Sequence, residues 1–159
     1  MSKLLFLSIT QKDSILASFA HVYKEDNYPP IAGKILGFFY ISNEKYFTFD
    51  ELMIELKVSK SAMSKALKLL LEFGEVNFKI FENNKRKRHF YLDIQGTIDK
   101  LQRLIDAYFM ETQLLEETLK IRNNENKDLN EFIKISIKFN KEVLDYLEKK
   151  VKEHYKIIK

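Results

Sequence analysis

Apolar residues recur at helical spacing over most of this chain. Ile15, Leu16, Phe19, Val22 and Tyr23 predict an amphipathic helix over about residues 10–25, closed by the polar Lys24-Glu25-Asp26-Asn27. Pro29 and Pro30 suit the first turn of a second helix, which Ile31, Ile35, Phe38 and Phe39 carry to about Tyr40. Gly33 and Gly37 lie four apart on one side of it, a spacing that lets a neighbouring helix approach closely or merely tolerates packing. After a loop at Ser42-Asn43-Glu44-Lys45, Tyr46-Phe47 reads as a short strand. Thr48 and Glu51 then form a capping box for a helix carrying Leu52, Ile54 and Leu56. Lys57-Val58 is long enough only for a turn. Ser59 caps the next helix, which runs to about Phe73 with the stripe Met63, Ala66, Leu67, Leu70 and Leu71, and Gly74 supplies its left-handed stop. Two capped helices joined by a tight turn make a helix-turn-helix.

From Glu75 the period changes to two. Val76, Phe78 and Ile80 alternate with Asn77, Lys79 and Phe81, and Phe90 and Leu92 alternate with His89 and Tyr91, which predicts a β-hairpin with its tip at Glu82-Asn83-Asn84-Lys85. A hairpin directly after a helix-turn-helix is a wing. From Thr97 onward there is neither Gly nor Pro, so the remainder should be helical. Leu101, Leu104, Ile105, Tyr108, Phe109, Leu115 and Leu119 mark one long helix, which breaks at Asn123-Asn124-Glu125-Asn126. Leu129, Phe132, Ile133, Val143, Leu144, Leu147, Val151, Tyr155 and Ile158 mark another. The fold class expected is mainly α with a small β-wing. Residues 1–28 form an N-terminal helix for dimerisation, 29–96 a winged helix-turn-helix, and 97–159 a helical dimerisation region. A small winged domain has little surface to cover both long apolar stripes. A second copy of the chain is the simplest cover; a hairpin packed on its own domain is the alternative.

Composition narrows the chemistry. The 159 residues include no Cys, which removes thiol nucleophiles, Cys-based metal sites and disulfides, and only 4 Gly and 2 Pro, which disfavours turn-rich β folds and Gly-rich nucleotide loops. The apolar run Lys3–Ile9 is too short for a signal-peptide core. No window offers the roughly 18 apolar residues of a membrane span, so a cytoplasmic protein without a membrane partner is expected. The three histidines, His21, His89 and His154, lie in separate elements without metal-ligand spacing. The carboxylate pairs Asp50-Glu51 and Glu116-Glu117 are adjacent in helices and diverge. Neither catalysis nor a cofactor is expected.

The net charge of +4 is unevenly spread. Residues 57–92 carry 9 Lys or Arg against 3 Glu, whereas residues 1–56 carry 5 against 7 Asp or Glu and residues 93–159 carry 13 against 13. A local positive patch is the footprint of phosphate neutralisation, although a charge run is also how a solvated face looks. Its placement favours the first. In the helix 59–73, Lys60, Ser61, Ser64, Lys65 and Lys68 lie opposite the apolar stripe, where they can meet base edges in a major groove of double-stranded DNA, and Ser59 puts the free N–H groups of the helix start next to a phosphate. Lys85, Arg86, Lys87 and Arg88 of the wing would follow the backbone or enter the minor groove, and strand alternation would keep all four from addressing one phosphate. A dimer would place two such helices about 34 Å apart on an inverted repeat. The rival reading is a winged module that docks on a protein and does not read DNA. The aromatic group Phe38, Phe39, Tyr40, Tyr46, Phe47 and Phe49, with Tyr108 and Phe109, is read as core or as the wall of a small-molecule site.

The runs Pro29-Pro30-Ile31-Ala32-Gly33-Lys34-Ile35-Leu36-Gly37-Phe38, Thr48-Phe49-Asp50-Glu51-Leu52 and Val58-Ser59-Lys60-Ser61-Ala62-Met63-Ser64-Lys65-Ala66-Leu67, with Gly74-Glu75-Val76 opening a basic wing, resemble the MarR-type winged-helix regulators. Within these the chain is similar to the GbsR-like branch associated with glycine betaine synthesis genes. The resemblance covers about residues 17–96. It implies a homodimer held by terminal helices, operator binding through recognition helix and wing, and repression of nearby genes under control of an effector. The chain departs from the branch where Pro30 and Lys34 stand in place of Arg, and where Asn83-Asn84 replace the glycine of the wing tip.

Overall fold

The computed structural model describes residues 9–82 and 85–155. The run Lys3–Ile9 up to Ser8, the tip residues Asn83 and Asn84, and Ile158 lie outside them. The elements in order are α1 (Ile9–Glu25), α2 (Pro30–Ile41), β1 (Phe47–Thr48), α3 (Phe49–Leu56), α4 (Lys60–Glu72), β2 (Val76–Ile80), β3 (Arg88–Leu92), α5 (Ile94–Ile121) and α6 (Lys127–Tyr155). They form two compact units, residues 1–97 and 98–159, with the division inside α5. No described helix is long and apolar enough to cross a membrane.

The first unit is built around α2. Ala32, Ile35, Leu36, Phe38 and Phe39 are buried, and Leu52, Met63, Leu67, Leu70, Val76 and Phe90 close over them. The rings of Phe38 and Phe39 pack on Phe47 at centroid distances of 4.8 and 6.0 Å, so these members of the aromatic group are core. α1 lies against α2 through Leu16 and Ala20; Val22, on the expected apolar side, is instead 62% exposed. The Gly33 and Gly37 spacing serves this contact. A Cβ on Gly33 would stand 2.8 Å from the Phe19 carbonyl oxygen and 2.9 Å from the Ala20 Cα, both backbone atoms that cannot step aside. Gly33→Ala should therefore push the helices apart and destabilise by about 1–3 kcal/mol, read as a lowered urea midpoint with an unchanged slope.

α3 starts from the expected capping box. The Thr48 hydroxyl accepts from the Glu51 N–H at 3.3 Å, and the Glu51 carboxylate accepts from the Thr48 N–H at 2.6 Å. Lys57 ends α3 in the left-handed region at φ 52°. The sheet order is β1-β3-β2, wholly antiparallel, with Phe47 opposite Phe90, Phe90 opposite Phe78, and Val76 opposite Leu92. The short strand sits one residue later than expected, at Phe47–Thr48, because the ladder to β3 pairs Phe47 with Phe90 and Thr48 with His89 and does not reach Tyr46.

In the second unit α5 and α6 run antiparallel. Asn126 accepts from the Leu129 N–H at 3.0 Å and so starts α6, which explains the break in an otherwise helical sequence. The buried seam departs from the expected stripes. Ile105, Ile133 and Leu144 are buried, but so are Thr112, Asn130 and Asn140, while Leu104, Phe109, Phe132 and Tyr155 are exposed. Asn140 donates to the Thr112 hydroxyl at 3.1 Å and accepts from the Tyr108 hydroxyl; Asn130 accepts from Arg122 Nε at 2.6 Å and donates to the Asn123 carbonyl at 2.7 Å. Fully bonded, these amides take seam positions without leaving orphaned polar atoms.

Candidate nucleic-acid interface

α4 is pinned at both ends. Ser59 accepts from the Ala62 N–H at 3.3 Å. At the other end Gly74 adopts φ +75°, its N–H donating to Leu71 O at 3.1 Å and the Glu75 N–H to Leu70 O at 3.1 Å. These paired bonds are a Schellman stop, and they deliver the chain straight into β2. Met63, Ala66, Leu67 and Leu70 face the core. Ser59, Lys60, Ser61, Ser64, Lys65 and Lys68 are all exposed, as are Lys85, Arg86, Lys87 and Arg88.

Some of these residues converge. Ser64 and Lys68 of α4 and Arg86, Lys87 and Arg88 of the wing border one open cleft of about 660 Å³, with Thr48, Phe49 and Asp50 at the head of α3 completing its wall. Ser59, Lys60, Ser61, Lys65 and Lys85 are exposed outside that cleft. The strand alternation expected of the basic run does not hold it apart: β3 begins only at Arg88, so Arg86 and Lys87 belong to the turn and can share the cleft with Arg88. Arg88 lies with its guanidinium 4.5 Å from the Phe78 ring centre, which braces it, and the residue is exposed.

Two acids the sequence reading did not single out for this surface, Asp50 and Glu72, also line the cleft, against four cations. Glu72 stands 3.8 Å from Lys68, but both side chains are largely exposed, and such a pair is weak and screened. Lys68 therefore remains available to an incoming phosphate. Glu51 lies beside this edge. Acceptance from the Thr48 N–H holds its carboxyl below the usual range, the Thr48 hydroxyl adds to this, and His89 and Lys87 contribute. Because its folded value is depressed, its contribution to stability is present above the unfolded value of about 4.3 and is lost as pH falls through the lower folded value. Glu51→Gln, which keeps a capping acceptor, should flatten the loss of stability on acidification below about pH 4.3. Denaturant midpoints at stepped pH test this; an unchanged acid limb would refute it.

Searches by sequence found no matching family model and no matching curated protein. Solved structures do match. A transcriptional regulator of known crystal structure superposes with a TM-score of 0.65 at 13% identity, covering 91% of this chain and 98% of that one. The fold is a winged helix-turn-helix. MarR from E. coli matches at 20% identity and a TM-score of 0.43, over 79% of this chain and 87% of its own. The S. aureus MepR–DNA complex matches at 14% identity and a TM-score of 0.43, over 87% and 98%.

In this winged-helix unit the described wing presents two unlike faces. The side carrying Phe78 and Phe90 closes the core. The other carries Tyr46, Phe81, His89 and Tyr91, with Tyr46 5.2 Å from Phe81 and 5.4 Å from Tyr91, so Tyr46 belongs to the sheet surface and not to the core group of phenylalanines. Tyr108 belongs to the second unit, where its hydroxyl bonds Asn140. Among the described residues no group of three or more His, Asp or Glu is arranged to hold a metal ion.

Proposed function

We propose that this protein is a sequence-specific DNA-binding transcriptional regulator, a homodimeric and effector-controlled repressor of MarR type and of the GbsR-like branch, acting in the cytoplasm. Residues 29–96 serve as its DNA-binding domain, and residues 1–28 and 97–159 as its dimerisation elements. The recognition helix α4 enters the major groove with Ser61, Ser64 and Lys65 toward base edges, where Lys donates to guanine acceptors and Ser donates or accepts. Ser59, Lys60 and Lys68 contact flanking phosphates, with free N–H groups at the α4 start adding to the attraction. Lys85, Arg86, Lys87 and Arg88 follow the backbone or enter the adjacent minor groove. A two-fold dimer sets two α4 helices on an inverted-repeat operator.

The observation that carries this reading is the shared cleft. Cations 18 or more positions apart in sequence, Lys68 and Arg86 to Arg88, border one exposed surface next to the hydroxyl of Ser64. Cations gathered from two elements suit the neutralisation of backbone phosphates, whereas a merely solvated face has no reason to gather them. Fluorescence anisotropy with duplexes from the region upstream of its own gene, and with shuffled duplexes, tests it at low and physiological salt. Salt-dependent binding that favours the upstream duplex is expected. Absence of binding to either duplex at low salt would leave a protein-docking winged module as the account of the fold.

A further inference from the structure

Glu75 is 1% exposed, a buried carboxylate to which the DNA-contact surface gives no role. Three directions of the first unit meet at it. Its N–H closes the Schellman stop of α4 on Leu70 O at 3.1 Å. Its carbonyl accepts from the Asp93 N–H at 2.9 Å, so it also ties the root of β2 to the end of β3. Its carboxylate accepts from the hydroxyl of Tyr28, itself buried in the turn between α1 and α2 and fixed by its N–H to Tyr23 O at 3.0 Å. Burial, then the bond to Glu75, keeps the Tyr28 hydroxyl protonated far above the usual tyrosine range, so it remains a donor.

Burying a polar group is costly unless it is hydrogen-bonded, and an apolar pair of the same shape can be as stable or more so; what the bonded carboxyl adds is a direction. Here the direction joins the end of the recognition helix and the root of the wing to the α1–α2 turn. Resting on the DNA-binding reading, we propose that Glu75 is a positioning residue, held by Tyr28, which sets the angle between α4 and the wing so that both reach one duplex. Sites of this kind tolerate about 0.5 Å or 10–20° of error before contacts are lost.

The absence of cysteine allows the angle to be measured directly. Nitroxide labels at Ser61→Cys and Lys85→Cys report the distance between helix and wing by pulsed EPR without DNA. With Tyr28→Phe or Glu75→Leu added, the distance distribution should broaden or shift, whereas Glu75→Gln alone, which still accepts from Tyr28, should leave it as in the parent. In the DNA arm, Tyr28→Phe should weaken operator binding about tenfold and reduce the salt slope by about 2, as wing phosphate contacts are lost, with Glu75→Gln within about twofold of the parent. An unchanged distribution in folded Tyr28→Phe protein overturns the inference, whether or not the parent binds DNA. If the parent binds no duplex, it is the DNA reading that fails, and the EPR distances alone decide the role of Glu75. Tyr28→Phe removes one oxygen from the core, so the test does not depend on Glu75→Leu folding.

Discussion

The double charge reversal Arg86→Glu with Arg88→Glu is expected to weaken binding to the upstream duplex about 100-fold at physiological salt and to lower the salt slope by about 2 or more, with self-association unchanged. The two side chains share the cleft with Lys68 and Lys87, so the substitution turns a site with four cations and two acids into one with more acids than cations. Each lost phosphate contact removes close to one counterion from the release term. Each new carboxylate also repels the backbone at short range. Loss should be nearly equal for operator and shuffled duplexes, because wing contacts position the protein and do not read bases. Lys65→Ala is the useful contrast: it should narrow the gap between the two duplexes. Arg88 also covers the Phe78 ring, so thermal melting must accompany the titration to separate lost packing from lost charge. Operator affinity within about twofold of the parent in a folded double variant would remove the wing from the interface.

That surface was legible because its determinants are local. Ser59, Gly74 and the Thr48–Glu51 box are caps whose chemistry acts within four residues, and the helical and two-residue periods mark which side chains face outward. The structure gives the same elements, with β1 displaced by one residue. What sequence did not expose is set by distant partners. Period two places Glu75 with the outward Asn77 and Lys79, whereas its carboxyl is bonded by Tyr28, 47 positions earlier, and is buried. Asn130 and Asn140 look like surface residues of α6 until Arg122, Thr112 and Tyr108 are seen to bond them. Counting apolar residues alone therefore put Phe132 in the seam, where the structure has it 64% exposed. The gathering of Arg86, Lys87 and Arg88 on one cleft depended on where β3 begins, a boundary that pattern reading does not fix to the residue.

The exposed apolar stripe of α6 carries the other large expected effect. Phe132, Ile135, Phe139 and Tyr146 are each at least 60% exposed and recur at three-, four- and seven-residue spacing, on a helix whose other stripe, with Ile133 and Leu144, already packs within the unit. α5 adds Leu104, Met110, Leu114 and Ile121, between 56% and 87% exposed. Apolar surface on this scale marks an association face, and a second copy of the chain is the proposed cover. Covering one phenylalanine is worth roughly 1.5–3 kcal/mol, and a two-fold interface counts each substitution twice. Phe132→Glu with Phe139→Glu should therefore raise the dimer dissociation constant by a factor of about 1000 or more, read by sedimentation equilibrium. Operator binding should fall with it, because a monomer loses the effective concentration that links two half-sites, while half-site affinity stays near that of the parent. The inner seam is untouched by these substitutions, so far-UV helicity should not change. A dimer that persists, or a parent chain that is monomeric at concentrations of tens of micromolar, would show that the stripe does not hold two copies together. A loss of helicity with the loss of the dimer would instead mean that the second copy is needed to fold the α5–α6 unit, which ties its stability to protomer concentration and would make its melting temperature fall on dilution.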